Sequence, residues 1–507
     1  MITPSRFLNA AAAAAAAATV ATVFLSPCGC SSASAQAPPD PLREFRAAWI
    51  AVVHNIDWPS RPGLSAGRQR AELISILDRA RALNLNAVIL QVRPACDAIY
   101  PSRKEPWCRF LTGKPGLPPD DNYDPLLFAV TEAHRRGLEL HAWFNPFRAL
   151  ASPNESASAD HVTKRRPNWI RRFENKVWID PGLPEARDYT LDVILDVVRR
   201  YDIDGVHIDD YFYPYPANPK KRPIPEFPDA AAYERYGRGL NRGDWRRKNM
   251  DEFVSSLYRA VKKEKSWVKF GISPFGIWRP QNPPGIVADL DAYTMIYADA
   301  RKWLANGWCD YLSPQLYWRI APPDQSFSAL AAWWAAQNRS GRHLWPGIAT
   351  SRIQSSEDPG RPASEIVRQI EVCRRVIPEG RSGHSHWSVK ALMQNRGGIS
   401  QQLQSVYATK AAVPASPWLS RGRPPQPSLA TSRSGAGVRL EWKAGNRTVR
   451  WWIVQIQPAP GAPWRAADIL WRDQTSITLN PAPHAVALRA VDAFGNASDA
   501  AIAGARQ

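Results

Sequence analysis

Between Phe45 and about Ser405 the chain repeats one unit: a short apolar run followed by a stretch with helical periodicity. This alternation limits the fold more than any other feature, because strands separated by helices must pair in parallel. The apolar runs fall at residues 46–53, 86–93, 138–145, 205–208, 268–275, 310–317, 344–349 and 384–389. Helical patterns fall at about 67–83, 125–136, 185–200, 245–265, 299–306, 326–337 and 363–376. In the first of these Leu73, Ile76, Leu77 and Ala80 form one stripe. In the second, Gly137 supplies the stop. Eight strands in this order predict an α/β fold, a (β/α)8 barrel with long loops. A doubly wound open sheet needs a glycine-rich phosphate turn near its start. The sequence has none there.

The stretch Asp204–Pro216, DGVHIDDYFYPYP, gives the barrel its chemical centre. Strand side chains alternate faces, so Val206 and Ile208 point one way and His207, Asp209 and Tyr211 the other. A polar set on an apolar strand needs partners or water. At the C-terminal end of a barrel strand that face opens into the active site. Asp209 is then the inward carboxylate at the mouth, and Asp210 turns toward the loop. Taken alone, both aspartates could simply cap the turn that follows. The pattern recurs, however: Gln91 and Arg93, His141 and Asn145, and Gln315 and Tyr317 occupy the same place on three other strands. Four such endings point to a shared pocket.

Two carboxyl groups flanking a scissile bond are the usual equipment for glycoside hydrolysis, one ionised and one protonated. Asp209 fits the ionised role. Its partner stays open among Asp210, Asp299, Asp97 and Asp57. For Asp299, at the start of a short helix, an N-cap role competes. Gln91, Arg93, His141, Asn145, Arg148, His207, Tyr211, Gln315 and Tyr317 are candidate substrate contacts, with Trp278 and Trp318 as stacking platforms for sugar rings. A second reading is a non-catalytic protein that binds envelope polysaccharide. The lack of a Glu at any strand end favours it. A third is a metal-dependent carbohydrate enzyme using His207 and Asp209 with His54, His141, His384 or His386. No paired-histidine motif supports it, so neither metal nor cofactor is expected.

Residues 1–37 read as a leader: Arg6, an apolar run from Ala10 to Leu25, and a small-residue cleavage region. Export to the periplasm or outer envelope follows. Cys28 and Cys30 sit in a degenerate lipoprotein box, which would tether the chain to a membrane through an N-terminal lipid. No later segment approaches the ~20 apolar residues of a membrane span. Four cysteines lie beyond the leader, none in a CxxC pair. Export permits disulfides. Cys96 and Cys108 flank one loop and are the expected bridge, with Cys309 and Cys373 as buried thiols. The formal charge is +19, but the arginines are scattered and no nucleic-acid motif is present. An anionic polysaccharide suits the compartment better than nucleic acid. Residues 43–408 are assigned to the barrel, 409–426 to a Pro/Ala/Ser/Arg-rich linker, and 427–504 to a small β-sandwich. Oligomeric state is not legible.

Six segments in order carry a family resemblance: FRAAWIAVVHNIDWP, NAVILQVRPACDAIYPS, LELHAWFNPFR, DGVHIDDYFYP, KFGISPFGIWRP and DYLSPQLYW. Together they resemble the glycosyl hydrolase-like 10 proteins over roughly Arg43–Tyr317, and more weakly over the rest of the barrel. The resemblance implies a TIM barrel in a bacterial envelope protein or lipoprotein. It implies hydrolysis of cell-wall glycan, including peptidoglycan strands stripped of peptides, and an aspartate nucleophile or stabiliser at Asp209. A basic mouth with Arg93 and Arg148 would suit muramyl carboxylates. The C-terminal segment resembles a fibronectin type III module. Cys96 and Cys108 depart from the family pattern, and the family's acid finds no counterpart here.

Overall fold

The computed structural model describes residues 37–120, 122–221, 223–443 and 448–504. The expected leader, with Cys28 and Cys30, lies outside the described residues. The barrel strands are β1 (Phe45–Ile50), β2 (Ala87–Arg93), β3 (Glu139–Phe144), β4 (Gly205–Ile208), β5 (Lys269–Ile272), β6 (Tyr311–Leu312), β7 (His343–Leu344 and Gly347–Ile348) and β8 (Gly383–His386). All pair in parallel, β1 with β2 and with β8. The two halves of β7 close the ring: His343–Leu344 pairs with β6 and Gly347–Ile348 with β8. The predicted (β/α)8 barrel is the observed fold.

Three strands are shorter than their apolar runs, and proline is the reason. Pro274, Pro314 and Pro346 have no N–H to give to the ladder. Pairing resumes past them as single bridges from Gln315 to Phe275 and to Gly347. The helices that separate the strands match the periodic stretches closely: α1 (Ala66–Ala82), α2 (Pro125–Arg135), α3 (Pro184–Arg200), α4 (Arg242–Glu264), α5 (Ala300–Ala305), α6 (Phe327–Gln337) and α7 (Ala363–Val376). Ser65 caps α1, and Asp124 caps α2 with Pro125 in its first turn. The long insertion after β3 contains an unforeseen antiparallel sheet, with Lys176–Ile179 between Arg148–Leu150 and Ile170–Phe173.

Strand parity sorts the barrel into two cores. Ile50, Leu90, Leu140, Val206, Ile272 and Leu312 face the helices. Phe45, Trp49, Ile89, Trp143, Tyr311 and Trp345 fill the inside. Two glycines make that filling possible. A Cβ on Gly271 would lie 1.8 Å from Tyr311 Cζ, and one on Gly205 2.5 Å from His141 Nδ1. These strands therefore approach the interior rings with no side chain of their own.

Beyond the barrel, β9 (Ala430–Ser434), β10 (Gly437–Glu441) and β13 (Ser476–Leu479) form one sheet. The other is β12–β11–β14–β15, from Arg465–Trp471, Val449–Gln457, Ala485–Asp492 and Ala501–Gly504. Val438, Leu440, Trp452, Val454, Val486 and Leu488 are buried between them. This sandwich packs on the end of the barrel where the strands begin. Arg450 donates to Asp204 Oδ1 at 2.8 and 2.7 Å and to Asp202 at 2.9 Å. Asp204 Oδ2 takes His134 at 2.8 Å, and the His134 ring stacks on Trp471. The expected linker is tied down as well. Thr409 O accepts from Arg46, Ala412 pairs with Arg43, and the Trp418 indole donates to Asp310.

Candidate active site

The barrel interior below the mouth is a chain of hydrogen bonds whose polarity one group sets. The Trp49 indole N–H can only donate, and it meets His207 Nε2 at 3.2 Å. With the Ser273 hydroxyl also donating to it at 2.9 Å, Nε2 is the unprotonated nitrogen, and the ring proton sits on Nδ1, 2.9 Å from the Tyr311 hydroxyl. Tyr311 accepts there and donates to His141 Nδ1 at 2.8 Å. His141 Nε2–H then donates to Glu139 at 3.0 Å, and Lys269 donates to the same carboxylate at 2.8 Å. Every polar atom along this line has a partner of the right kind. Burial holds His207 well below the usual imidazole range, His141 acting the same way, which agrees with a neutral ring. His141 and His207, expected as substrate contacts, are thus interior packing groups beneath the site.

One layer higher is Asp209, 3% exposed. Its Oδ2 accepts the Trp143 indole at 2.9 Å and the Asn145 amide at 3.2 Å. Asn145 is aimed in turn, its Oδ1 accepting the Arg148 backbone N–H at 3.0 Å. Asp210, 9% exposed, takes the Tyr215 hydroxyl, and the Gln315 side chain beside it donates to Ser273 O at 2.9 Å. Burial pushes the Asp209 carboxyl up to about 7, the charge of Asp210 adding to it and Arg148 opposing. Burial raises Asp210 too, with the Tyr215 and Gln315 side chains opposing. Two adjacent buried carboxylates cannot both ionise easily, so the pair holds one proton near neutral pH. Both partners on Asp209 Oδ2 are donors only, which favours the anion there. Tyr215 can accept as well as donate, so Asp210 can carry a proton without losing this partner.

Half-buried aromatic rings surround the pair. Tyr211 meets Tyr215 with centroids 5.7 Å apart, Tyr215 meets Phe275 at 6.3 Å, and Phe275 meets Trp318 at 5.8 Å. Tyr317 stacks on Trp387, which also touches Trp49 and Trp143. The Arg148 guanidinium lies 4.8 Å from the Tyr211 ring centroid and donates to Pro94 O. Asp209, Asp210, Asn145, Arg148, Tyr211, Gln315, Tyr317 and Trp318 therefore converge as expected. Trp143, Tyr215 and Trp387 join them. Parity carried a signal for two of these, since Trp143 lies between His141 and Asn145, and Trp387 follows Ser385 on the inward register of β8.

Other expected members are elsewhere. Arg93 is fully buried, clamped to Glu105 and to the carbonyls of Asn145 and Pro146, so it braces the loop after β2. Gln91 accepts the Val52 and Val53 N–H groups through Oε1 and fixes the loop after β1. Asp299 caps α5 through the Lys302 N–H and takes the Trp278 indole. Trp278 itself stacks on Trp333 of α6, so both belong to the barrel wall. Asp57 takes Ala51 N–H and Ser388, and Asp97 takes Ala95 N–H. Cys96 and Cys108 are not bridged. The Cys96 thiol is held between an Arg93 donor at 3.2 Å and the Arg148 carbonyl at 3.3 Å, while Cys108 turns to Asp97. His384 and His386 face outward to the Tyr407 hydroxyl.

The sequence matches the glycosyl hydrolase-like 10 family over residues 44–361. It is 43% identical to the glycosyl hydrolase YngK of Bacillus subtilis over 398 residues, 76% of each chain. It is 34% identical to the glycosyl hydrolase DigH of Escherichia coli, covering 63% of this chain and 76% of that one. Among solved structures, it is similar to the PgaB (BpsB) glycoside hydrolase domain from Bordetella bronchiseptica. That likeness is 14% identical and spans 71% of this chain and 98% of the other, with a TM-score of 0.46.

Proposed function

Because the chain belongs to the glycosyl hydrolase-like 10 family, we propose that it is a glycoside hydrolase of the bacterial cell-wall glycan, acting on peptide-free peptidoglycan strands. The observation that carries this reading is the Asp209–Asp210 pair: two adjacent carboxyls buried at the mouth of a barrel, both pushed up by burial and ringed by half-buried aromatics. Asp209 is the ionised member, stabilising positive charge as it develops at the anomeric carbon. Asp210 carries the proton for the departing oxygen. Tyr317, Trp318 and Trp387 offer faces for sugar rings.

Strands without peptides expose muramyl carboxylates. Arg148 supplies positive charge beside the pair. A cleft at the same end of the barrel is lined by Arg103, Lys104, Arg165, Arg166, Trp169 and Tyr189. With the formal charge of +19, this supports an anionic polysaccharide partner. The leader read at residues 1–37 would deliver the chain to the envelope, with a lipid tether if Cys28 or Cys30 is modified. The strand order of the sandwich suits a fibronectin type III-like module.

Release of soluble sugars from peptide-free strands tests the reading, with wild type beside Asp209→Asn. Asn keeps the shape but cannot ionise, so the rate should fall at least ~100-fold while strand binding persists. Equal rates would remove Asp209 from the chemistry. Wild type that binds strands and releases nothing would leave a glycan-binding protein.

A further inference from the structure

The Asp209–Asp210 pair answers one half of a glycosidase mechanism and leaves the other half open. A nucleophile or base must act on the face of the anomeric carbon opposite the leaving group. Asp209 and Asp210 are consecutive, with Cα atoms about 3.8 Å apart, and their buried carboxyls interact as one pair on a single wall of the mouth. A second carboxylate would have to come from across the mouth. Six carboxylates in the other strand-to-helix loops are already engaged. Asp57 holds Ser388 and the loop after β1, Asp97 holds the Ala95 N–H, and Glu105 is locked on Arg93. Asp299 caps α5, Asp358 clamps Arg319 and Arg361, and Glu357 pairs with Arg352 at the exposed rim.

We infer that the missing nucleophile belongs to the substrate: the 2-acetamido group of the sugar in the site attacks its own anomeric carbon, so the enzyme requires a β-linked 2-acetamido-2-deoxy sugar. This rests on Asp209 and Asp210 being the catalytic pair and adds the chemical class of the cleaved residue. The hydrogen bonds fit the division of labour. Trp143 and Asn145 both donate to Asp209 Oδ2, while Oδ1 takes only the long Tyr211 N–H bond at 3.5 Å and keeps a lone pair to accept an acetamide N–H. That bond aims the acetamide oxygen at the anomeric carbon and stabilises the cation it becomes.

In the first step the acetamide carbonyl oxygen forms a bond to C1, closing an oxazolinium ring. The glycosidic C1–O bond breaks, and the leaving oxygen takes the proton from Asp210. In the second step water adds to C1 and gives a proton to the Asp210 carboxylate, while the C1–O bond of the ring opens to restore the acetamide. Both carboxyls return to their starting states. The net change is addition of water, with the anomeric configuration retained. A 2-acetamido group lying trans to the leaving group is needed for back-side attack, which is why the bond must be β.

The test compares peptide-free strands as isolated with the same strands de-N-acetylated and re-acylated with trifluoroacetyl groups, which pull electron density from the acyl oxygen. Wild type and Asp209→Asn are assayed on each, and the anomer first released is read by NMR. Participation predicts at least ~100-fold slower cleavage of the trifluoroacetyl strands by wild type, because a positioned internal nucleophile is lost. It also predicts a product that first appears as the β-anomer. Equal cleavage of both strands, or an α-anomer first, overturns participation while loss of activity in Asp209→Asn leaves the catalytic pair in place. Failure of wild type to cleave the native strands, or full activity of Asp209→Asn, overturns the pair and participation with it.

Discussion

Replacing Arg450 with Met should destabilise the barrel from its far end. The guanidinium is buried, with its side chain 6% exposed, and makes two short bonds to Asp204 and two to Asp202, one to its carboxylate and one to its carbonyl. Burial alone would push the Asp204 carboxyl up, yet Arg450 first and His134 second hold it well below the usual carboxylate range. Met fills similar space and removes the charge, so Asp204 Oδ1 loses both of its Arg450 hydrogen bonds inside the protein. Breaking a buried pair this way costs about 3–5 kcal/mol. His134 and the Leu140 N–H still bond Oδ2 at 2.8 Å each, which places the expected loss near the lower bound, about 3 kcal/mol. The surface pair Arg81–Asp468 is the control: its arginine is 35% exposed, and Arg81→Met should cost under ~1 kcal/mol. The assay is equilibrium denaturation at pH 7 of wild type, both single variants and the double variant Asp204→Asn/Arg450→Met. The double variant removes both charges and should recover most of the loss. The sign with pH is fixed as well. A depressed carboxyl contributes stability that is fully present above its unfolded pKa of about 3.9 and is lost as pH falls through the lower folded value. The gap between wild type and Arg450→Met should therefore shrink below about pH 4. A single variant as stable as wild type, or a double variant as unstable as the single, would refute this account.

Three further outcomes follow from the geometry. Tyr311→Phe leaves the His207 Nδ1–H and the His141 Nδ1 without partners, and should cost about 2–4 kcal/mol in denaturation. Hydrolysis should have a bell-shaped pH profile, because it needs the one-proton state of the pair. The acid limb should lie near the value of about 7 to which burial raises Asp209, because Asp209 must lose its proton, and the alkaline limb follows loss of the Asp210 proton. Removing Asp209 and its charge in Asp209→Asn should abolish that acid limb and lower the alkaline limb of any residual activity. Finally, the folded protein should leave Cys96, Cys108, Cys309 and Cys373 unreactive toward a thiol reagent at pH 8 and expose all four on unfolding without reductant. They are buried and unbridged, and burial pushes the Cys96 thiol up to about 12. Detection of a Cys96–Cys108 bridge by mass spectrometry would contradict the structure.

Much of the barrel was legible because parallel strands buried on both faces leave long apolar runs, and helices such as α1, α2 and α7 show 3.6-residue stripes. Parity also placed Asp209, Asn145 and Gln315 on one face. What parity does not encode is depth. His141, His207 and Asp209 share the inward register, but only the last lies at the mouth, and only Trp49 and Tyr311 reveal that the histidines are satisfied below it. The same holds for Arg93, an inward residue at a strand end whose charge is taken by Glu105, twelve residues on in a loop. Docking of the sandwich was invisible because Arg450 and Asp204 are 246 residues apart and neither sits in a pattern.

Strand β4 shows how these levels act together. Asp204 at its foot is gripped by Arg450 and His134, His207 at its middle by Trp49 and Tyr311, and Asp209 at its head by Trp143 and Asn145. Each grip comes from a different part of the chain, so the strand has little freedom to slide or twist. Asp209 is therefore preorganised: its donors are in place before substrate arrives, and no reorganisation is needed as positive charge develops. Asp210 is held differently. Its neighbours are Tyr215, from the proline-broken loop that follows, and Gln315, past the proline that ends β6. In the proposed mechanism, the carboxylate that stays ionised is thus fixed by the rigid barrel. The one that gives up and regains a proton there is held by a hydroxyl able to donate or accept, on a segment outside the regular sheet.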